Sequence, residues 1–292
     1  MDGPTTQHTS ASSKTNEPLT SEGLASLLTR ARRNLHERRA VVWPLQVVLL
    51  ALAIAAWEGA VNAGIMEQLY VSKPSKIASA FVDGISSGAL LNDLNVTLYE
   101  TLVGFVIAAV AGVLAGLVLY QVPLLNAVLR PFLTAFNNLP RLALSPLFVL
   151  WFGLGSASKI VLVVSLCFFI VLFNTYAGLQ NASRDHLLLA KTLGARRMTL
   201  FRKFVLPSAT STIFAGLQLA LTYAFLSAVV GEMLSGSTGL GATMQLSLAT
   251  YKTAYFFAAL ILLVIVATIF SGIMRLIESK LLHWKSYEMQ GL

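Results

Sequence analysis

Charge is scarce in this sequence. Only 12% of its 292 residues are Asp, Glu, Lys or Arg, about half the roughly 25% usual in soluble domains. With 56% hydrophobic residues and a mean hydropathy of +0.72, a single soluble domain is excluded. Cysteine is nearly absent as well. Cys167 stands alone in an apolar run, so neither a disulfide framework nor a cysteine-rich metal site can be built. The four histidines, His8, His36, His186 and His283, are scattered, and no paired spacing of the H-E-x-x-H kind offers a zinc site. No Gly is followed by Lys anywhere, so no phosphate loop of the G-x-x-x-x-G-K-[ST] kind exists. No catalytic constellation is evident. The chain is not expected to be an enzyme, and neither a cofactor nor a metal is expected in it.

In place of charge there are long apolar runs. About 20 apolar residues cross a hydrocarbon core of roughly 30 Å. Stretches free of Asp, Glu, Lys and Arg cover 40–57, 101–129, 142–158 (lengthened by 131–140), 160–183, 204–231 and 253–274. Backbone groups in lipid must be satisfied internally, so these runs are helices. The expected fold is an all-α membrane protein with a transmembrane domain over 40–282. Its six helices are placed at about 40–65, 98–122, 128–153, 158–181, 206–232 and 253–276. If the N-terminus is cytoplasmic, the inner segments carry sixteen Lys and Arg: six in 1–39, Arg130, six in 181–206 and three at the C-terminal end. The outer segments carry four: Lys73, Lys76, Lys159 and Lys252. That bias puts both termini in the cytoplasm. It also accounts for the net charge of +8, so no nucleic-acid partner is expected.

Residues 1–20 are polar and Ser/Thr/Pro-rich and read as a disordered cytoplasmic tail, and 283–292 as a second tail. Between 21 and 39, Leu24, Leu27, Leu28, Ala31 and Leu35 recur at helical spacing opposite five arginines, the pattern of an amphipathic helix lying on the inner leaflet, with a solvated basic helix as the alternative. In the second span Gly104, Ala108, Gly112 and Gly116 fall at four-residue intervals and form a face that a neighbouring helix can approach closely. The third span is interrupted by Asn137, Asn138, Pro140 and Arg141. Proline kinks a helix, and broken helices with polar residues tend to line transport routes. The alternative is an interfacial position from which Arg141 snorkels outward. Asn174 and Gln218 are further pathway candidates, or interhelical hydrogen bonds. Glu232 closes the fifth span before a glycine-rich turn and could form a gate or pair with Lys252 or Arg141.

The cytoplasmic link 184–206 carries the most specific pattern. Leu187, Ala190 and Leu193 make a short apolar helical stripe, and Gly194 is placed to end it in a left-handed turn. Ala195 follows, then a second short amphipathic piece with Phe201, and Leu206-Pro207 opens the next span. A short apolar stripe outside the bilayer asks for a groove on a partner; the alternative is a helix lying flat on the membrane.

Segment 188–207 resembles the EAA loop of binding-protein-dependent ABC importer permeases, which reads Glu-Ala-Ala, three residues, Gly, nine residues, Ile, one residue, Leu-Pro. Ala190, Gly194, Phe204 and Leu206-Pro207 match, while Leu188 and Leu189 replace Glu-Ala. Pro74-Ser75 with Ile77, the run Asn138-Leu139-Pro140-Arg141-Leu142-Ala143, Leu150-Trp151-Phe152-Gly153, and Glu232 with Gly239-Leu240-Gly241 look like the sulfonate/nitrate/taurine branch of that family. The resemblance runs from about residue 40 to the end of the last span. It implies an inner-membrane permease of type I importer fold with a cytoplasmic coupling helix. Two permease copies would form the pathway in the bilayer. A cytoplasmic ATPase dimer would bind ATP and Mg, and an extracytoplasmic binding protein would deliver a small anion such as a sulfonate, taurine or nitrate. From the residues alone, an ion-coupled secondary transporter and a non-transporting scaffold stay open. The charge-free interiors of the later spans speak against proton coupling.

Overall fold

The structure is a computed structural model. It describes residues 21–181, 190, 192, 194–236 and 238–281, with side chains from Val42 onward except that of Arg197. Every regular element among the described residues is helical: α1 (Ser21–Asn62), α2 (Gln68–Val71), α3 (Pro74–Ser86), α4 (Ala89–Gln121), α5 (Pro123–Asn137), α6 (Ser145–Phe152), α7 (Ser156–Gln180), α8 (Arg197–Leu200), α9 (Leu206–Ser235), α10 (Leu240–Ala249) and α11 (Thr253–Leu281). Five of the described helical segments are long and apolar enough to cross a membrane, at Val42–Asn62, Ala89–Gln121, Ser156–Gln180, Met198–Ser235 and Thr253–Leu281. The expected third span is not a single helix. It consists of α5, a bend at 138–140, a 3₁₀ turn over Arg141–Leu144, and α6. Pro140 has no N–H to continue α5, and the chain turns there.

The chain divides into two units, Met1–Gly59 and Ala60–Leu292. In the first, the backbone of α1 runs unbroken from Ser21 through Pro44, so no turn separates the expected interfacial helix 21–39 from the span. The faces of 21–39 lie outside the described side chains, as do the tails 1–20 and 283–292. From Val42 to Ile54 the large apolar side chains of α1 stand exposed, as suits a helix whose solvent is lipid.

In the second unit α7 is the centre, packed on α4 along one side and α9 along the other. Lipid is as apolar as leucine, so helix association here rests on close van der Waals packing by small residues. Gly104, Gly112 and Gly116 of α4 meet Val163, Val171 and Thr175 of α7, and an added Cβ would lie 2.6–2.8 Å from each. Ala108, fully buried, completes that face. The matched residues advance together, so α4 and α7 run parallel. Across the other face Gly178 meets Thr212 and Ala209, Gly216 meets Asn174, and Gly231 meets Leu162 and Lys159. That order runs antiparallel. α11 packs against α9 through Phe270 on Phe225, with centroids 5.9 Å apart, and through Gln218 on Glu278, again antiparallel. These directions are what alternating spans require. The core is one cluster from Phe105 and Ala108, through Val163, Cys167 and Val171, to Ala220, Ala224, Phe225 and Ala228. A second cluster at the α10 end includes Leu90, Leu240, Met244 and Ala258. A third, at the opposite end, joins Leu179, Val205 and Ala209 with Phe201.

Candidate functional site

The α10 end of the bundle holds three charged side chains out of solvent. Glu100 and Glu232 are 0% exposed and Lys159 is 1% exposed. Lys159 Nζ lies 3.7 Å from Glu100 Oε1 and donates to the Leu154 carbonyl at 3.1 Å. Glu232 faces the start of α10. Its Oε2 accepts the Gly241 N–H at 2.7 Å, and Thr97 Oγ1 accepts the Leu240 N–H at 2.9 Å. These are the donors that a helix leaves unsatisfied in its first turn, and an anion there complements the helix dipole. Gly239, at φ 100°, admits no side chain: a Cβ would stand 2.2 Å from Glu232 Oε1. Two residues beyond Gly241, Thr243 Oγ1 donates to Asp93 Oδ2. The carboxylate and the glycine-rich turn singled out in the sequence are thus one device that fastens α10 to α4 and α9. Glu232 pairs with neither Lys252 nor Arg141.

Glu100 and Lys159 were not among the sequence candidates. Both lie near the starts of the expected spans 98–122 and 158–181, and the helices begin earlier still, at Ala89 and Ser156, so each charge has helix on both sides of it. The expectation that the later spans carry no ionisable residue in their interiors is corrected accordingly. The available signal was an isolated charge one residue outside each window.

At the α5–α6 break, Asn137 ends α5 and the Asn138 N–H reaches back to Thr134 and Ala135. Arg141 Nη2 donates to the Phe136 carbonyl at 2.9 Å and to Asn137 Oδ1 at 3.3 Å. Its guanidinium lies 4.2 Å over the Phe169 ring of α7. Arg141 thus caps the exposed carbonyl end of α5 and ties the bend to α7 by a cation–π contact. Asn137, Asn138 and Pro140 are exposed. No residue of α5 is buried, and Leu124, Val128, Phe132 and Phe136 form a bare stripe at four-residue spacing. Behind this stripe, a cavity of about 310 Å³ is lined by Asn126, Arg130, Thr134, Tyr176 and Gln180, among apolar neighbours. Asn126 and Gln180 both donate to the Tyr176 hydroxyl, each at 2.7 Å.

The two amide candidates are used within the bundle. Asn174 Nδ2 donates to the Ile170 carbonyl at 2.8 Å, with its Cβ against Gly216. Gln218 Nε2 donates to Glu278 Oε2 at 2.6 Å.

In the link 184–206, Leu187 and Leu193 lie outside the described residues. Gly194 has φ 77°, and the Ala195 N–H bonds the Ala190 carbonyl at 3.0 Å. That bond across a left-handed residue is the longer of the two that close a Schellman helix end. Ala190 is 5% exposed. Phe201 turns into the bundle and stacks on Tyr120, with centroids 6.2 Å apart. Among the described residues of the link, the exposed large apolar side chains are Met198 and Phe204. From Arg197 the helix runs into α9 through one wide π turn, Phe201–Val205. Pro207 cannot donate to the Lys203 carbonyl, and a wider turn accommodates that loss.

The family model for binding-protein-dependent transport system inner membrane components matches residues 108–283. The putative aliphatic sulfonates transport permease protein SsuC of Bacillus subtilis is 31% identical over 252 residues, 86% of this chain and 91% of its own length. The riboflavin transport system permease protein RibX of Chloroflexus aurantiacus is 29% identical over 261 residues, 89% of this chain and 97% of its own. Among solved structures, a chain of the MetNI methionine ABC transporter in inward-facing conformations superposes with a TM-score of 0.57 at 20% identity. That match covers 66% of this chain and 95% of the other, and it supports the all-helical permease fold. This chain belongs to the family of binding-protein-dependent transport system inner membrane components, as a membrane-spanning ABC importer permease.

Proposed function

We propose that two copies of this chain form the membrane pathway of an ATP-driven importer for a small organic or inorganic anion of the sulfonate, taurine or nitrate kind. An extracytoplasmic binding protein delivers the solute, and a cytoplasmic ATPase dimer docks on the link 184–206. The observation that carries this reading is the Gly194 turn. It follows the helical residues Ala190 and Thr192, precedes the helix that begins at Arg197, and presents Met198 and Phe204 beside it, at the end of the bundle where Lys and Arg are concentrated. A helix presenting an apolar patch outside a membrane is a ligand for a groove. ATP-driven movement of that groove would swing α9, which is continuous with the link, between inward-open and outward-open arrangements. The transported solute couples to the cycle through its different affinity for the two.

The bare stripe of α5 supports a second copy as its cover. The cavity behind it, with Arg130 as its cation, supports an anionic solute. Arg141, already engaged at the end of α5, is assigned to holding the bend. The charge bias supports both termini on the cytoplasmic side of the inner membrane, with α10 on the outer side. The test is uptake into proteoliposomes containing the permease, ATPase and binding protein. Labelled taurine or an alkanesulfonate is expected to accumulate only with ATP, and Arg130→Ala is expected to lower the rate at least tenfold with the complex intact. Uptake of riboflavin and of neither sulfonate would overturn the substrate assignment.

A further inference from the structure

Of the four lysines assigned to the outer side, the structure accounts for two. Lys159 is buried beside Glu100. Lys73 Nζ donates to Asn62 Oδ1 at 2.6 Å. The remaining two, Lys76 and Lys252, are exposed and line the same notch, of about 390 Å³. They are far apart in sequence and are brought together because α11 packs on α2 and α3. Gln68, Ser72, Tyr251 and Thr253 complete the polar lining, and no Asp or Glu among the described residues contributes.

The backbone of this notch is specified in detail. Ser72 at φ 58° and Tyr251 at φ 57° are the two non-glycine residues with left-handed backbone among the described residues, and both line it. Tyr251 takes the place usually given to glycine at a helix end: its N–H bonds the Leu248 carbonyl, and the Lys252 N–H bonds that of Ser247 at 2.8 Å. Left-handed backbone in residues with side chains is held only where the surroundings fix it, and it clusters at functional positions.

We propose that this notch receives a carboxylate side chain of the extracytoplasmic binding protein, held between the Lys76 and Lys252 ammonium groups. The inference rests on the importer reading above. A concave site with two ammonium groups, an amide and hydroxyls matches one inserted carboxylate through charge-assisted hydrogen bonds. Recruitment of anionic lipid by lysines calls for a larger cluster, about four to eight basic residues.

The test uses the complete importer in vesicles and reads ATPase stimulation against binding-protein concentration. Lys76→Glu with Lys252→Glu is expected to raise the half-maximal concentration at least tenfold at low salt. The difference should shrink as salt rises, because steering between exposed charges is screened. The neutral pair Lys76→Gln and Lys252→Gln should fall in between. The rate without binding protein reports that the variants are assembled. An unchanged half-maximal concentration, with the unmodified complex stimulated, overturns the notch alone. A shift seen in vesicles containing anionic lipid and lost in pure phosphatidylcholine assigns the lysines to lipid and also overturns it. An unmodified complex that no binding protein stimulates overturns the importer reading beneath.

Discussion

Lys159 shows how much one residue can decide in a membrane bundle. Its ammonium group is enclosed with two carboxylates at the meeting of α4, α7 and α9. Removing one partner of a buried ion pair strands the other charge and typically costs about 3–5 kcal/mol. Lys159→Met is therefore expected to lower thermal stability in detergent sharply. Adding Glu100→Gln should recover most of the loss, because the stranded carboxylate is gone while Glu232 keeps its bond to Gly241. A Lys159→Met protein that melts like the parent would remove the pair from any structural role. This cluster is also where the sequence was hardest to read. Glu100 and Lys159 sit one residue outside charge-free windows, at the edges of the expected spans, and only the packing of the helices shows that they are enclosed. Arg141 was legible as an unusual residue but not as a cap, since its acceptor, the Phe136 carbonyl, is exposed only once the chain has bent.

Among the helices, the readable signals were those with a period or a special backbone. The four-residue spacing of Gly104, Ala108, Gly112 and Gly116 announces a close contact, and the contact is with α7 of the same chain. Gly112→Leu would push side-chain atoms into Val171 and the Phe168 carbonyl, 2.8 and 2.9 Å from the added Cβ. Overpacking of this kind costs about 1–3 kcal/mol or more. The variant is expected to lose stability and yield of folded protein, and an unaltered melting curve would contradict the assigned α4–α7 contact. Gly194 was readable because a helix end followed by a second amphipathic piece calls for a left-handed residue, and its φ of 77° meets that need. Gly194→Val forces a β-branched side chain into that region. Membrane insertion should persist while copurification of the ATPase falls at least tenfold. Undiminished copurification would show that the link is not the docking element. The broken third span was legible as a break, from Pro140 and the adjacent asparagines. Its division into α5 and α6 was not, because hydropathy averages across the bend.

For the whole molecule, composition and the spacing of apolar runs indicated an all-helical membrane protein, and parallel and antiparallel contacts among α4, α7, α9 and α11 agree with alternating spans. The family followed from a link of some twenty residues and a few short motifs. The substrate did not: this chain's relatives are named for solutes as different as sulfonates and riboflavin. The central claim is that this chain works as the membrane half of an ATP-driven importer. The most direct test is purification of the tagged chain from native membranes in mild detergent, with identification of the proteins that accompany it. The account predicts a P-loop ATPase in one-to-one ratio, lost with Gly194→Val. A chain recovered without an ATPase, in detergents that keep comparable complexes whole, would contradict it.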